Sequence, residues 1–270
     1  MTVAIGSKLV EIAIDLIRNF AWYASVIIIL HFAERRWPAG EAPTFRDQAF
    51  NFFLALSGAL SLTAVSTIAP FAMTFVRACG LEKLVLREWT PHNAPEWIAG
   101  ALFFAFAWDL FQYWFHRLTH SFQALWFTHA LHHDSAVLNS TDAIRHTIWY
   151  GLLQGIFVGV PLLIIGAYNV LHLYAGILLF STWGFYNHAN IRLGHGRMTP
   201  VVSGPQFHRI HHGVDPMYHN KNFAAFFPVI DIIFGTYQSP APGEFPLTGL
   251  PNRAQARGGA RRIVSALLGY

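Results

Sequence analysis

Charged residues fall in clusters along this chain and leave four long apolar stretches between them. The first runs roughly from Leu9 to Phe32 and is interrupted by Asp15 and Arg18. The second, Gln48 to Val76, holds no charge and exceeds the roughly 20 residues that a spanning helix needs. The third, Trp97 to Phe115, carries one charge, Asp109. The fourth, Thr147 to Ile191, holds no Asp, Glu, Lys or Arg. It is long enough to cross a bilayer twice, with Gly166, Ala167, Tyr168 and Asn169 as the turn. The pattern predicts an all-α, integral membrane helical bundle of about four to five spans.

Composition supports that reading. Hydrophobic residues make up 54% of the chain and charged residues 12%, half of the roughly 25% usual in soluble domains. The basic residues then act as topology signals. Placing the histidine-rich segments on one side gathers 13 of the 18 Lys and Arg residues there. Lys8, Arg77, Lys83 and Arg87 fall opposite, and Arg18 lies inside the first stretch. By the positive-inside rule the histidines form a cytoplasmic helical cap. No basic block interleaved with aromatics accompanies the net charge of +4, so nucleic acid is not an expected partner. Cys79 is the one cysteine, which excludes an intramolecular disulfide and a cysteine-rich metal site. Glu11, Asp15 and Arg18 break the first stretch, so it does not read as a secretory signal. The organisation expected is N-terminal membrane helices over 1–95, a catalytic region over 96–238 and a tail over 239–270. Rich in Pro, Gly and Arg, that tail reads as a loosely ordered, surface-lying end.

Histidine carries the chemistry. There are 15, against 14 carboxylates. Eight fall in three boxes: His116 and His120 in an HxxxH, His129, His132 and His133 in an HxxHH, and His208, His211 and His212 in a second HxxHH. At this histidine content one HxxHH is expected about 0.05 times per chain. Residues three and four apart share a helix face, so each box can offer two or three ring nitrogens from one turn. Eight imidazoles suit two metal ions with four or five ligands each. His188, at the end of the last apolar stretch, emerges beside the boxes and is a ninth candidate. His146 and His219 follow the second and third boxes and are further candidates, with an ordinary polar role as the alternative. His31, His92, His172 and His195 read as ordinary core or surface residues. Asp109 stands seven residues before His116, two turns away on about the same face. As an intramembrane carboxylate it is expected to hold the second ring nitrogen of a ligand histidine; pairing with another polar group is the alternative.

Imidazole suits iron, zinc, copper and nickel alike. A site at a membrane face that oxidises unactivated C–H bonds needs a redox metal, which zinc is not. The boxes and their flanks resemble the fatty acid hydroxylase/sterol desaturase superfamily. Asp109, Tyr113, His116, Arg117 and His120 match its D-x-x-x-Y/F-x-x-H-R-x-x-H pattern. His188-Ala189-Asn190 resembles its H-A/S-N element, and Lys221-Asn222-Phe223 with Asp231 to Tyr237 resembles its closing segment. Ala224 replaces the family's Gly, Ile230 its Trp, and Thr141 to His146 keeps an Arg but lacks the His-Pro pair. The resemblance runs from about Trp97 to Tyr237.

It implies an O2-dependent lipid oxidation by two iron ions, with zinc as the metal that isolation can leave in place. Electrons would come from an external donor such as a ferredoxin, a cytochrome b5-like protein or a reductase. The metal ligands would be His116, His120, His129, His132, His133, His188, His208, His211 and His212. Asp109 would stand behind them, and Arg117 and Asn190 would support the site. A desaturase of the same superfamily fits the same residues, as does a histidine-rich metal transporter.

Overall fold

The computed structural model describes residues 21–80, 92–165 and 170–250. The lower part of the first stretch, the turn at 166–169 and the tail beyond 250 lie outside the described residues. Those described are helical and contain no strand; the β pairing among them is two isolated bridges, Pro38 with Ile191 and Gly213 with Thr248.

The first described helix, α1, covers residues 21–36. Next come α2 (Phe45–Ala78) and α3 (Ala94–Ser121), which contain the second and third apolar stretches. Both start on side-chain caps. Thr44 accepts from the Asp47 amide, and Asn93 from the Glu96 amide, with Pro95 in the first turn of α3. Only Phe122 separates α3 from α4 (Gln123–His133), so the first two boxes are held close together. The long uncharged stretch is not two uninterrupted helices. It comprises α5 (Ile148–Gln154), a π-helical turn (Gly155–Gly159), α6 (Val160–Ile165) and α7 (Val170–His188). Short α8 (Pro205–His211) and α9 (Val229–Ile233) close the cap. Among the described residues, α3 is the one helix both long and apolar enough to cross a membrane.

Two apolar clusters fix α3. Phe104, Ala107 and Phe115 pack on Tyr150, Val158 and Leu162 of α5, the π turn and α6. Tyr113 packs on Phe223, Ala224 and Ile230 near α9. The cap itself is held by buried polar groups. Arg145, 1% exposed, donates to the Leu131 carbonyl (2.8 Å), to Asn51 Oδ1 (3.1 Å) and to Asp134 (3.4 Å). Asn51 of α2 also donates to Thr141 and Asp142. This guanidinium therefore ties α2 to the backbone of α4 between His129 and His132. Arg145→Ala would take this donor from the Leu131 carbonyl and Asn51 and remove the cation that faces the buried Asp142 carboxylate. Breaking such a buried ionic network costs about 3–5 kcal/mol, so a lower melting temperature in detergent is expected. Arg145→Lys should not restore it, because the three bonds leave three separate nitrogens of the guanidinium, Nε, Nη1 and Nη2, and a single ammonium nitrogen cannot stand at all three places.

Two remote segments clasp the cap. On one side the Glu34 carboxylate accepts from the amides of Ser140 and Asn190, and Ala39 donates to the Asn190 carbonyl. On the other, Gln206 donates to the carbonyls of Ala241 and Glu244, Arg209 to that of Pro246, and Val214 to that of Leu247. Residues 241–248, expected to be loosely ordered, are thus pinned to the third box. The apolar and polar pattern could not reveal this, because the bonds run largely to backbone carbonyls.

Candidate metal centre

The nine histidines of the three boxes and His188 converge into two adjoining groups. The first contains His116, His120, His129, His133 and His211; the second contains His132, His188, His208 and His212. In each, one nitrogen per ring lies within 4.8 Å of all the others. The boxes divide by helical geometry. In an HxxHH, the pair four apart points one way and the intervening histidine another. The second box sends His129 and His133 to the first group and His132 to the second. The third box does the reverse, sending His208 and His212 to the second group and His211 to the first. Each HxxHH turn therefore contributes to both groups. The groups abut, with the His133 and His212 rings stacked at 4.3 Å.

Backbone carbonyls set the ring orientations. His116 Nδ1 donates to Phe223 (3.0 Å), His188 Nδ1 to Gly184 (2.7 Å) and His211 Nδ1 to Lys221 (2.8 Å). A carbonyl only accepts, so these three Nδ1 atoms carry the proton and leave Nε2 with a lone pair. Their Nε2 atoms face the Nε2 atoms of partners: His116 meets His129 at 2.9 Å, His211 meets His133 at 3.1 Å, and His188 meets both His132 and His208 at 3.0 Å. His120 Nε2 is buried without a hydrogen-bond partner.

The donor set fits metal ions. With metal–nitrogen bonds of roughly 2.1 Å, neighbouring nitrogens on an octahedron stand about 3.0 Å apart. Burial, then the neighbouring imidazoles, holds His129, His132, His133, His208, His211 and His212 well below the usual imidazole range. They are neutral at pH 7 and offer lone pairs rather than protons.

The carbonyls of Lys221 and Phe223 reach two rings of the first group because Asn220 and Asn222 take left-handed backbone (φ 60° and 58°). Asn is among the few residues that visit this region readily. The loop that follows is clamped from two sides. Asp231 accepts from the amides of Phe223 and Ala224. Asp109 accepts from the amides of Ala225 (2.7 Å), Phe226 (2.9 Å) and Phe227 (2.6 Å). Asp109 was expected to hold a histidine ring; instead its partners are backbone amides, and it reaches His116 only through the loop that carries Phe223. A helix-face argument could not see this, because the loop comes from more than a hundred residues away.

Other expected residues lie outside both groups. Asn190, expected from the resemblance to support the site, accepts from Arg209 and Gly40 and donates to the Glu41 carbonyl. It belongs to the clasp. Arg117 donates to Tyr113 Oη and the Phe234 carbonyl. His146 stacks on His132 (4.4 Å) and on Tyr150 (4.2 Å), and Tyr150 stacks on His129 (5.0 Å). His146 and Tyr150 thus form a ring bridge along one flank of both groups. His219 lines a pocket of about 410 Å³ with His120, His133, His211, Trp126 and Asn220. His195 is satisfied by Tyr186 and the Val202 carbonyl. Glu34, Asn51 and Tyr150 carried no sequence signal, being single residues outside any motif.

Comparisons with known proteins agree with this site. The chain is 31% identical over 130 residues to the alkylglycerol monooxygenase of Danio rerio, covering 48% of this chain and 28% of that protein. It is 30% identical over 132 residues to the Homo sapiens alkylglycerol monooxygenase, covering 48% and 29%. The match therefore spans less than a third of those relatives. To an ornithine lipid hydroxylase of Rhizobium tropici it is 26% identical over 227 residues, covering 82% of this chain and 67% of that protein. No solved structure matches. The sequence profile of the fatty acid hydroxylase family matches residues 101–236, half of the 270-residue chain, and that range takes in most of α3, all three boxes, His188 and the clamped loop. On that match, the chain belongs to the fatty acid hydroxylase family.

Proposed function

We propose that this protein is a membrane-embedded, O2-dependent lipid hydroxylase with a two-iron site and an external electron donor. The observation that carries the proposal is the convergence of nine buried imidazoles into two adjoining groups. All nine come from elements in or beside the region that matches the family profile. Iron is preferred to zinc because an unactivated C–H bond calls for a redox metal. When bound, the irons would supply the redox chemistry with O2. The chain's own work is to fix the rings through the carbonyls of Phe223, Gly184 and Lys221 and to bury the site from water. The overall change is R–H + O2 + 2e⁻ + 2H⁺ → R–OH + H2O. A ferredoxin or cytochrome b5-like donor would bring the electrons. By their names the relatives act on alkylglycerols and on ornithine lipid, which supports a lipid as substrate. The apolar stretches and the basic bias support a multi-pass chain with the histidines in the cytoplasm and residues 96–238 as the catalytic region.

Purified protein should hold about two iron ions per chain. Reconstituted with lipid and a donor system under ¹⁸O2, it should add one labelled oxygen to a lipid. Loss of two hydrogens without oxygen gain would make it a desaturase instead. No O2-dependent change in alkylglycerols, ornithine lipids or a total lipid extract would overturn the proposal.

A further inference from the structure

The pocket beside the first histidine group has a chemistry of its own. Its inner wall is His120, His133 and His211, and no ring of the second group lines it. Ser121, Gln123, His219 and Asn220, all exposed at its mouth, give hydrogen-bonding groups. Trp126 and Leu250 are its apolar sides. At about 410 Å³ it is far larger than O2 needs and falls within the range of small-molecule sites, about 300–1,000 Å³.

Its depth is set by α3. The apolar stretch ends near Phe115, and Ser121 lies six residues further along the same helix. At 1.5 Å per residue that is about 9 Å. The headgroup layer beyond the hydrocarbon is about 5–8 Å thick on each side. The pocket mouth therefore stands at or just above headgroup level, not within the acyl layer.

Resting on the hydroxylase reading, we infer that this pocket receives the polar end of the lipid, and that the carbon oxidised lies within a few bonds of that polar end. The first histidine group faces the substrate, and the second is enclosed behind it. The ligand class is an amphiphile whose polar end carries hydroxyl or amine groups. Ser121, Gln123, His219 and Asn220 would bind those groups, while Trp126 packs the first carbons of the tail. A lipid oxidised in the middle of its acyl chain would have to bring that methylene through a polar mouth, at a desolvation cost to the groups lining it.

The test is photo-crosslinking of the full chain in vesicles. Two 1-O-hexadecylglycerol probes are used, one with a diazirine at the second alkyl carbon and one with it at the fifteenth. The first probe should label peptides carrying Ser121 to Trp126 and His219 to Asn220 at least about tenfold more than the second. The double substitution Ser121→Leu and Gln123→Leu should abolish that preference while iron content stays at about two. Labelling of these peptides by the chain-end probe alone, by both probes equally or by neither overturns the inference. A parallel incubation with tail-deuterated and glycerol-deuterated hexadecylglycerol separates the two claims. Deuterium lost from distal tail carbons with oxygen gained would overturn the headgroup placement and leave the hydroxylase standing. Pocket labelling with no oxygen gained by any lipid would overturn the hydroxylase and leave the pocket standing.

Discussion

His132→Ala is expected to lower metal content from about two ions per chain to about one and to remove turnover. His132 is the only member of the second box in the four-histidine group, so its loss leaves three nitrogens there. Its neighbour His133 belongs to the five-histidine group, which the substitution leaves complete. Losing a residue that merely supports a ligand costs about 10–100-fold in affinity or activity. Losing a ligand should exceed the top of that range. Iron analysis of purified protein and ¹⁸O incorporation are the measurements. His195→Ala is the control, since that ring is satisfied outside both groups and should leave both metals in place. Two metals and unchanged turnover in His132→Ala would refute the division of the boxes.

The second large effect is expected from a residue that touches no histidine. Asp109→Ala removes the buried acceptor for three partly buried amides, those of Ala225, Phe226 and Phe227. Each stranded amide costs about 1–3 kcal/mol. Partial burial lowers that cost, yet three together remain a sizeable fraction of a typical domain's whole stability, about 5–15 kcal/mol. The damage should reach the metal centre by a defined path. The loop loses its anchor, the Phe223 carbonyl loses its position, and His116 loses the partner that fixes its proton on Nδ1. Loss of folded protein on gel filtration in detergent is the expected outcome. In whatever fraction folds, the first group should lose metal before the second. Asp109→Asn is milder, since its amide oxygen can still accept from part of the set. A folded Asp109→Ala with full iron would show that the loop holds without the carboxylate.

The histidines were readable in the sequence because their chemistry repeats at helical spacing. The boxes announce a cluster, and His188 follows from its place at the end of an apolar run. Which group each ring joins was not readable, since it depends on how α4 and α8 face each other across the site. The roles of Asp109 and Asn190 were not readable for a related reason. Their partners are backbone groups, and every residue has those. Asp109 was expected beside a ring because both lie on one face of α3; an amide loop occupies that face instead. Asn51 and Glu34 are single polar residues whose partners lie up to about 150 positions away, so no local pattern marks them. The helices were readable as uncharged runs. The π turn at Gly155–Gly159 was not, because it changes the hydrogen-bond register without changing polarity.

The clasp around the third box has a consequence for biogenesis. Glu34 and Ala39 grip one side of the cap, and the carbonyls of Ala241, Glu244, Pro246 and Leu247 grip the other. Synthesis delivers these segments some two hundred residues apart, so the later one is still inside the ribosome when α3 and α4 have already emerged. The histidine groups are therefore expected to close only after the later segment has been made. On the proposed function, iron delivery is expected to be a late step in maturation, and a nascent chain arrested before residue 241 should emerge inserted but metal-poor.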